Sequence, residues 1–257
     1  MPETGDTPAW PEDWAALYDA IDIDRQPHLD FYTGLVSGQT RSLLDLGCGT
    51  GSITLAMADR MAPGARIAGV DLSPKMIAIA RARAPGLEWA VGDICAPPID
   101  GKFDLVTVCF NTLQLLLDEA DLVRCFDSVA RRLAPQGRFA FDIAQPNMAW
   151  LAAITSEPAV VRHYTNPQGR KFDVVERDGV YDPVTQVLSG AWDLVDAKTG
   201  EKMPIAPIYQ HLHQYFPSDI ERLVAGAGLR LEARFGDLDR RAFAPGTRRQ
   251  VCICRLA

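Results

Sequence analysis

Leu43-Leu44-Asp45-Leu46-Gly47-Cys48-Gly49-Thr50-Gly51 places three glycines at alternating positions directly behind an apolar run. Glycine lets a backbone turn sharply and lets a ligand approach it closely, so the stretch reads as a strand end opening onto a binding turn. RSLLDLG (41–47) is the buried strand, and residues 51–62 are the helix that leaves the turn. A dinucleotide fingerprint wants Gly-x-Gly-x-x-Gly, and Ser52 stands where its third glycine belongs.

Working outward, ARIAGVDL (65–72), LEWAVGDI (87–94), FDLVTVCF (103–110) and GRFAFDIA (137–144) read as further strands. Between them, Ser73 caps a helix over 74–84 with Pro74 in its first position. Residues 118–133 form a second helix with Leu122, Phe126, Val129 and Leu133 on one face. Its acids (Asp118, Glu119, Asp121) and bases (Arg131, Arg132) sit at the ends that suit the helix dipole. Alternating elements at this spacing imply a doubly wound α/β fold, a mostly parallel sheet with helices on both faces.

After residue 145 the pattern changes. VVRHY, KFDVVERDGVY, QVLSGAWDLV and APIYQHLHQYF are separated by the turn-like NPQG, YDPVT and AKTGE, and read as inserted antiparallel strands. SDIERLVAGAG then returns to helix, with Ser218 and Glu221 in capping-box spacing and Gly226 and Gly228 at its end. LRLEARF and RQVCICRLA are expected to close the main sheet as a hairpin. The expected division is an N-terminal helical lid segment (1–40), an α/β domain (41–157 and 217–257) and an antiparallel β cap (158–216).

The 257 residues are 47% apolar and 23% charged, a profile that excludes a disordered or fibrous chain. No apolar run is long enough to span a membrane. The N-terminus lacks the basic and apolar regions of a signal peptide, so a cytoplasmic protein is expected. The net charge of −7 lies entirely in residues 1–30, which hold eight acids against Arg25. The remaining 25 acids and 25 bases balance, and the Arg-rich 230–255 interleaves with apolar residues, which disfavours nucleic acid as a partner. Six scattered cysteines read as reduced, buried thiols, and no metal site is expected.

Gly-x-Gly-x-Gly after an acidic strand end closely resembles the class I S-adenosylmethionine-dependent methyltransferases. The resemblance implies a seven-stranded Rossmann-like sheet and S-adenosylmethionine as cofactor, with S-adenosylhomocysteine as product. It places Asp45, Gly47, Cys48, Gly49 and Gly51 around the cofactor. Asp71, 20 residues after Gly51, would accept both ribose hydroxyls, because the helix-capping role is already taken by Ser73. Leu72 and Met76 would flank the adenine, Asp93 would accept from its amine, and Ile94 would pack on the ring. Phe110 and Asn111 would pass beside the methyl and the methionine moiety. In WAALYDAIDIDRQPHLDFYTGLV, Tyr18 and Asp19 match a Tyr-Asp pair that folds over the cofactor in many small-molecule members; the alternative is a surface helix with Trp14, Leu17 and Ile21 inward.

On the acceptor side, a period of two puts Tyr209, His211, His213 and Tyr215 on one face of a cap strand and Ile208, Leu212 and Phe216 on the other. His211 or His213 is a candidate general base; a half-buried polar face with no catalytic part is the alternative. The segment after the fourth strand reads Cys109-Phe110-Asn111-Thr112 and lacks the Asn/Asp-Pro-Pro-Tyr/Phe type of motif of nucleobase amino-methyltransferases. The expected function is methyl transfer to an O or N atom of a small molecule, by a monomer or homodimer. A nicotinamide-dependent oxidoreductase and a non-catalytic S-adenosylmethionine-binding protein are the rivals.

Overall fold

Apolar runs become strands and 3.6-periodic segments become helices through the first half of the chain. A computed structural model describes residues 12–15, 17–21, 24–166 and 168–257. Helices α1 (Glu12–Ala15) and α2 (Gln26–Thr33) precede β1 (Ser42–Leu46), α3 (Ser52–Ala58), β2 (Arg66–Asp71), α4 (Pro74–Arg83) and β3 (Glu88–Val91). Then come β4 (Phe103–Val108), α5 (Glu119–Arg132), β5 (Leu133–Ala144) and α6 (Met148–Ala152). Four strands follow: β6 (Ala159–Thr165), β7 (Lys171–Asp182), β8 (Val187–Asp196) and β9 (Ile208–His213). The chain ends with α7 (Pro217–Gly226), β10 (Leu229–Phe235) and β11 (Arg249–Leu256).

These elements fold as two compact units. The larger comprises residues 25–146 and 215–257. Its seven strands lie in the order β10-β11-β5-β4-β1-β2-β3. All neighbours are parallel except β11, which runs antiparallel to both β5 and β10. The closing hairpin is therefore as expected. Strand order reverses between β1 and β4, the place where open α/β sheets bind ligands at their carboxyl ends. Phe126, Phe139 and Phe141 pack against one another in edge-on and tilted contacts in the core on one side of the sheet, and α5 buries the face read from its periodicity. Each such ring contributes roughly 1.5–3 kcal/mol by burial. The Asp118 carboxylate caps α5 by accepting from Ala120 N at 2.9 Å.

Two local expectations change. Helix α2 and its Phe31 and Tyr32 belong to this α/β unit, whereas residues 1–40 read as one lid segment from sequence. Helix α7 starts one residue before Ser218, because Pro217 already has the helical φ. Its N-terminus is closed by Asp219, which accepts from Phe216 N at 3.0 Å, and Glu221 pairs instead with Arg234.

The smaller unit comprises the described residues up to Asp24 together with Asn147–Gln214. Its four strands form an antiparallel sheet in the order β6-β7-β8-β9, as the alternating pattern implied. One face is apolar: Phe172, Val174, Leu194 and Ile208 are buried with Trp14 and Ile21. The Trp14 indole donates to Ala206 O at 2.7 Å, and Ile21 forms a bridge with Tyr164. The helix expected around Tyr18 is a single turn, α1, followed by a hydrogen-bonded turn over 17–20.

Candidate cofactor site

The glycine turn leaves β1 with three left-handed residues, Gly47 at φ +72°, Gly49 at +56° and Gly51 at +81°. An L side chain adopts these angles only with strain. Space excludes one at Gly51 as well, where a Cβ would meet the Trp89 ring at 2.8 Å. Gly47 N and Cys48 N both donate to Val70 O, at 2.7 and 3.0 Å, and hang the turn on β2. The Cys48 side chain packs with Ile77, Ala80 and Trp89, and its thiol donates to Gly49 O.

Asp71 ends β2 and binds the turn to the next helix. Its Oδ2 accepts from Gly49 N and its Oδ1 from Ser73 N, both at 2.9 Å. Burial raises the carboxyl above its ordinary range, and the two amide bonds oppose that rise. A carboxylate oxygen accepts more than one hydrogen bond, so both oxygens keep capacity for hydroxyl donors. Ser73 caps α4 as expected, accepting from Met76 N at 3.3 Å.

Beside Asp71, Leu72 and Val91 are 48% and 45% exposed at the ends of adjacent strands. Asp93 is exposed, and its Oδ1 is fixed by Cys95 N at 2.8 Å; Ile94 is buried. Of the two side chains expected to flank an adenine, only Leu72 is open. Met76 is buried, because the cap at Ser73 turns Met76, Ile77 and Ala80 to the inner face of α4.

Asp45, read as part of the binding motif, is buried beneath the turn. Thr54 Oγ1 donates to one oxygen at 2.5 Å and Thr107 Oγ1 to the other at 2.7 Å. Burial pushes its carboxyl up to about 6 against those two bonds. The residue thus braces β1, α3 and β4 against one another.

Beyond β4 the chain makes a second left-handed turn, with Phe110 at φ +58° and Asn111 at +62°. Neither is glycine, and such conformations cost of order 1–3 kcal/mol each unless the surroundings over-determine them. Asp142, fully buried in β5, supplies that determination. Its Oδ1 accepts from Tyr32 OH at 2.7 Å and Phe110 N at 3.1 Å. Its Oδ2 accepts from Arg249 Nη1 at 2.7 Å and His28 Nε2 at 3.2 Å. Burial works to raise this carboxyl, but the His28 hydrogen bond, the charges of His28 and Arg249, and the Tyr32 hydroxyl hold it below its ordinary range. Sequence reasoning passed over His28, Tyr32, Asp142 and Arg249. The available signal was a lone acid inside the apolar GRFAFDIA.

In the smaller unit, Tyr18 and Asp19 are half-buried in the turn after α1. On β9, Tyr209 is exposed and His211 and His213 are half-buried, paired across the ladder with Ala191, Ser189 and Val187. His211 Nδ1 and Ser189 Oγ lie 2.8 Å apart. The expected fourth member of this face, Tyr215, is elsewhere. Strand β9 stops at His213, and Tyr215 is buried in the α/β core, its hydroxyl donating to Leu116 O at 2.5 Å. Phe216 likewise leaves the opposite face and precedes α7. Among the described residues, no group of three His, Cys, Asp or Glu is placed to hold a metal.

A family model described as "Methyltransferase domain" matches residues 43–137. The putative methyltransferase YqeM of Bacillus subtilis is 34% identical over 139 residues, 51% of this chain and 53% of that protein. The chain spans about half the length or less of the first curated relatives it matches. Among solved structures, the CcbJ methyltransferase from Streptomyces caelestis superposes with a TM-score of 0.79 at 22% identity, covering 98% of this chain and 99% of that one. The trans-aconitate 2-methyltransferase of Methylobacterium radiotolerans is 30% identical over 186 residues, 63% of this chain and 71% of its own. The chain belongs to the methyltransferases, with the fold of solved S-adenosylmethionine-dependent members.

Proposed function

We propose that the chain transfers a methyl group from S-adenosylmethionine to an oxygen or nitrogen of a small molecule. The observation that carries this reading is Asp71, a carboxylate tied to the glycine turn with acceptor capacity left over, beside the open apolar pair Leu72 and Val91. That combination suits a ribose with an attached adenine: two hydroxyls for two oxygens, and a flat apolar ring for surface otherwise left to water. In this reading Asp93 accepts from the adenine amine, Gly47 and Gly49 let the backbone approach the donor, and the backbone turn at Phe110–Asn111 receives its methionine end. S-adenosylmethionine supplies an electrophilic methyl on a sulfonium, taken by in-line displacement. The chain's task is to hold the donor, align the nucleophile and exclude water.

Either His211, which Ser189 would orient, or His213 is assigned as the base for an acceptor hydroxyl, and Tyr18 is assigned to closure over the donor. Replacing the histidine that acts as base by Asn is expected to cut turnover by about two to four orders of magnitude with donor affinity unchanged. An amine that arrives neutral needs no base, and the loss is then small. A small acceptor is in keeping with the relative named for trans-aconitate. The balanced charge outside residues 1–30 supports a partner other than nucleic acid, and free cysteines support a cytoplasmic setting. No helix among the described residues is long and apolar enough to cross a membrane.

Calorimetric titration with S-adenosylmethionine and with NADH tests the reading. Saturable binding of the first and none of the second is expected; no binding of S-adenosylmethionine would overturn the reading.

A further inference from the structure

Three costly features meet at one place in the α/β unit. Asp142 is a charge without solvent, Phe110 and Asn111 are successive non-glycine residues at positive φ, and His28 Nδ1 is buried with no hydrogen-bond partner among the described residues. Each is unfavourable by itself, and stable folds tolerate such departures where a site requires them.

The contacts show what they jointly do. Phe110 is held at its backbone, where its N–H donates to Asp142 Oδ1, and at its ring, which stacks on His28 with centroids 3.7 Å apart and planes 18° apart. Asn111 is held the same two ways. Its N–H donates to Asp142 O at 3.2 Å, and its side-chain oxygen accepts from Arg249 Nη1 at 3.1 Å. The same Arg249 nitrogen donates to Asp142. Both residues of the turn are therefore clamped by Asp142 or by a group that Asp142 orients. The His28 ring is set by its Nε2 bond and its stacking, and this leaves Nδ1 unsatisfied. The cluster favours the shape of the turn over the pairing of its own atoms.

We propose that Asp142 is a positioning residue: through His28 and Arg249 it imposes the left-handed turn at Phe110–Asn111, and that turn sets the affinity for the donor's methionine end. The proposal rests on the methyltransferase reading given above. It differs from a buried ion pair that serves stability alone, because it makes ligand affinity depend on the backbone angle at Asn111.

The test uses Arg249→Met, Asn111→Gly and their combination, each titrated calorimetrically with S-adenosylhomocysteine and melted thermally. In Arg249→Met the buried Asp142 keeps His28 and Tyr32 as partners, and the thermal melt reads whether the variant is folded when it is titrated. Arg249→Met is expected to weaken S-adenosylhomocysteine about tenfold, the scale of one charge-assisted hydrogen bond. Glycine takes a positive φ without being held, so adding Asn111→Gly to Arg249→Met is expected to restore affinity by about threefold or more. Asp142→Asn, if folded, should weaken binding further than Arg249→Met. A lower melting temperature with unchanged affinity in Arg249→Met, or no recovery in the double variant, would overturn the proposal while the wild type still binds. A wild type that does not bind S-adenosylhomocysteine overturns the methyltransferase reading, and the proposal with it.

Discussion

The α/β unit carries two left-handed turns at the carboxyl ends of its strands, built by opposite means. After β1 the conformation is intrinsic: Gly47, Gly49 and Gly51 adopt positive φ without a Cβ to clash, and Asp71 has only to tie the turn down. After β4 the conformation is imposed: Phe110 and Asn111 hold positive φ because Asp142 and its partners surround them. The two buried carboxylates differ accordingly. Asp45, under the glycine turn, is met by neutral hydroxyls, and burial lifts it to about 6. Asp142 is met by His28 and Arg249 and is held low. A turn written into its own residues needs little support, whereas one imposed from outside needs a buried charge.

The largest expected effect breaks the intrinsic turn. Gly49→Val puts a β-branched side chain at φ +56°, and is expected to weaken S-adenosylmethionine by about 3 kcal/mol or more, beyond a hundredfold. Calorimetry on the folded variant reads this directly. Asp71→Ala should cost about 2–3 kcal/mol of donor affinity, since it removes a charged acceptor and releases Gly49 N and Ser73 N. Unchanged affinity would remove Asp71 from the site.

The carboxylates sharpen the comparison through pH. Asp45 has a folded pKa above its unfolded value, so its ionisation costs stability as pH rises from about 4 through about 6. Asp45→Asn should therefore gain on the wild type over that window, by about 3 kcal/mol at 1.36 kcal/mol per unit. Asp142 has the opposite sign. Its contribution is present above the unfolded carboxyl pKa and lost as pH falls through the folded one, so the wild type's advantage over Asp142→Asn should shrink in acid. Denaturant titrations at a series of pH values give both slopes; parallel slopes would refute the contrast. The smallest effect is expected from Asn111→Gly in the wild-type background. Relief at φ +62° offsets the entropy of a new glycine in the unfolded chain, and stability should move by less than about 1 kcal/mol.

Sequence and structure agree where the signal is local. The glycine turn, the cap at Ser73, the buried face of α5, the antiparallel sheet and the closing hairpin all follow from spacing within a few residues. The period-two reading of 208–216 ran past a strand that stops at His213, because nothing in Gln214-Tyr215-Phe216 announces that the chain passes into the other unit. Asp45 was legible as a motif residue, but its direction depends on Thr54 and Thr107, on α3 and β4. The Asp142 network was the least legible. It joins residues 28, 32, 110, 111, 142 and 249, and no one of these residue types requires the others.

The most direct measurement is a crystal structure with S-adenosylhomocysteine bound. The account predicts both ribose hydroxyls within hydrogen-bond distance of the Asp71 carboxylate, the adenine covering Leu72 and Val91 with its amine at Asp93, and the sulfur beside Phe110–Asn111 with that turn still left-handed. A ligand seated with its ribose away from Asp71, or with Leu72 and Val91 still open to solvent, would contradict it.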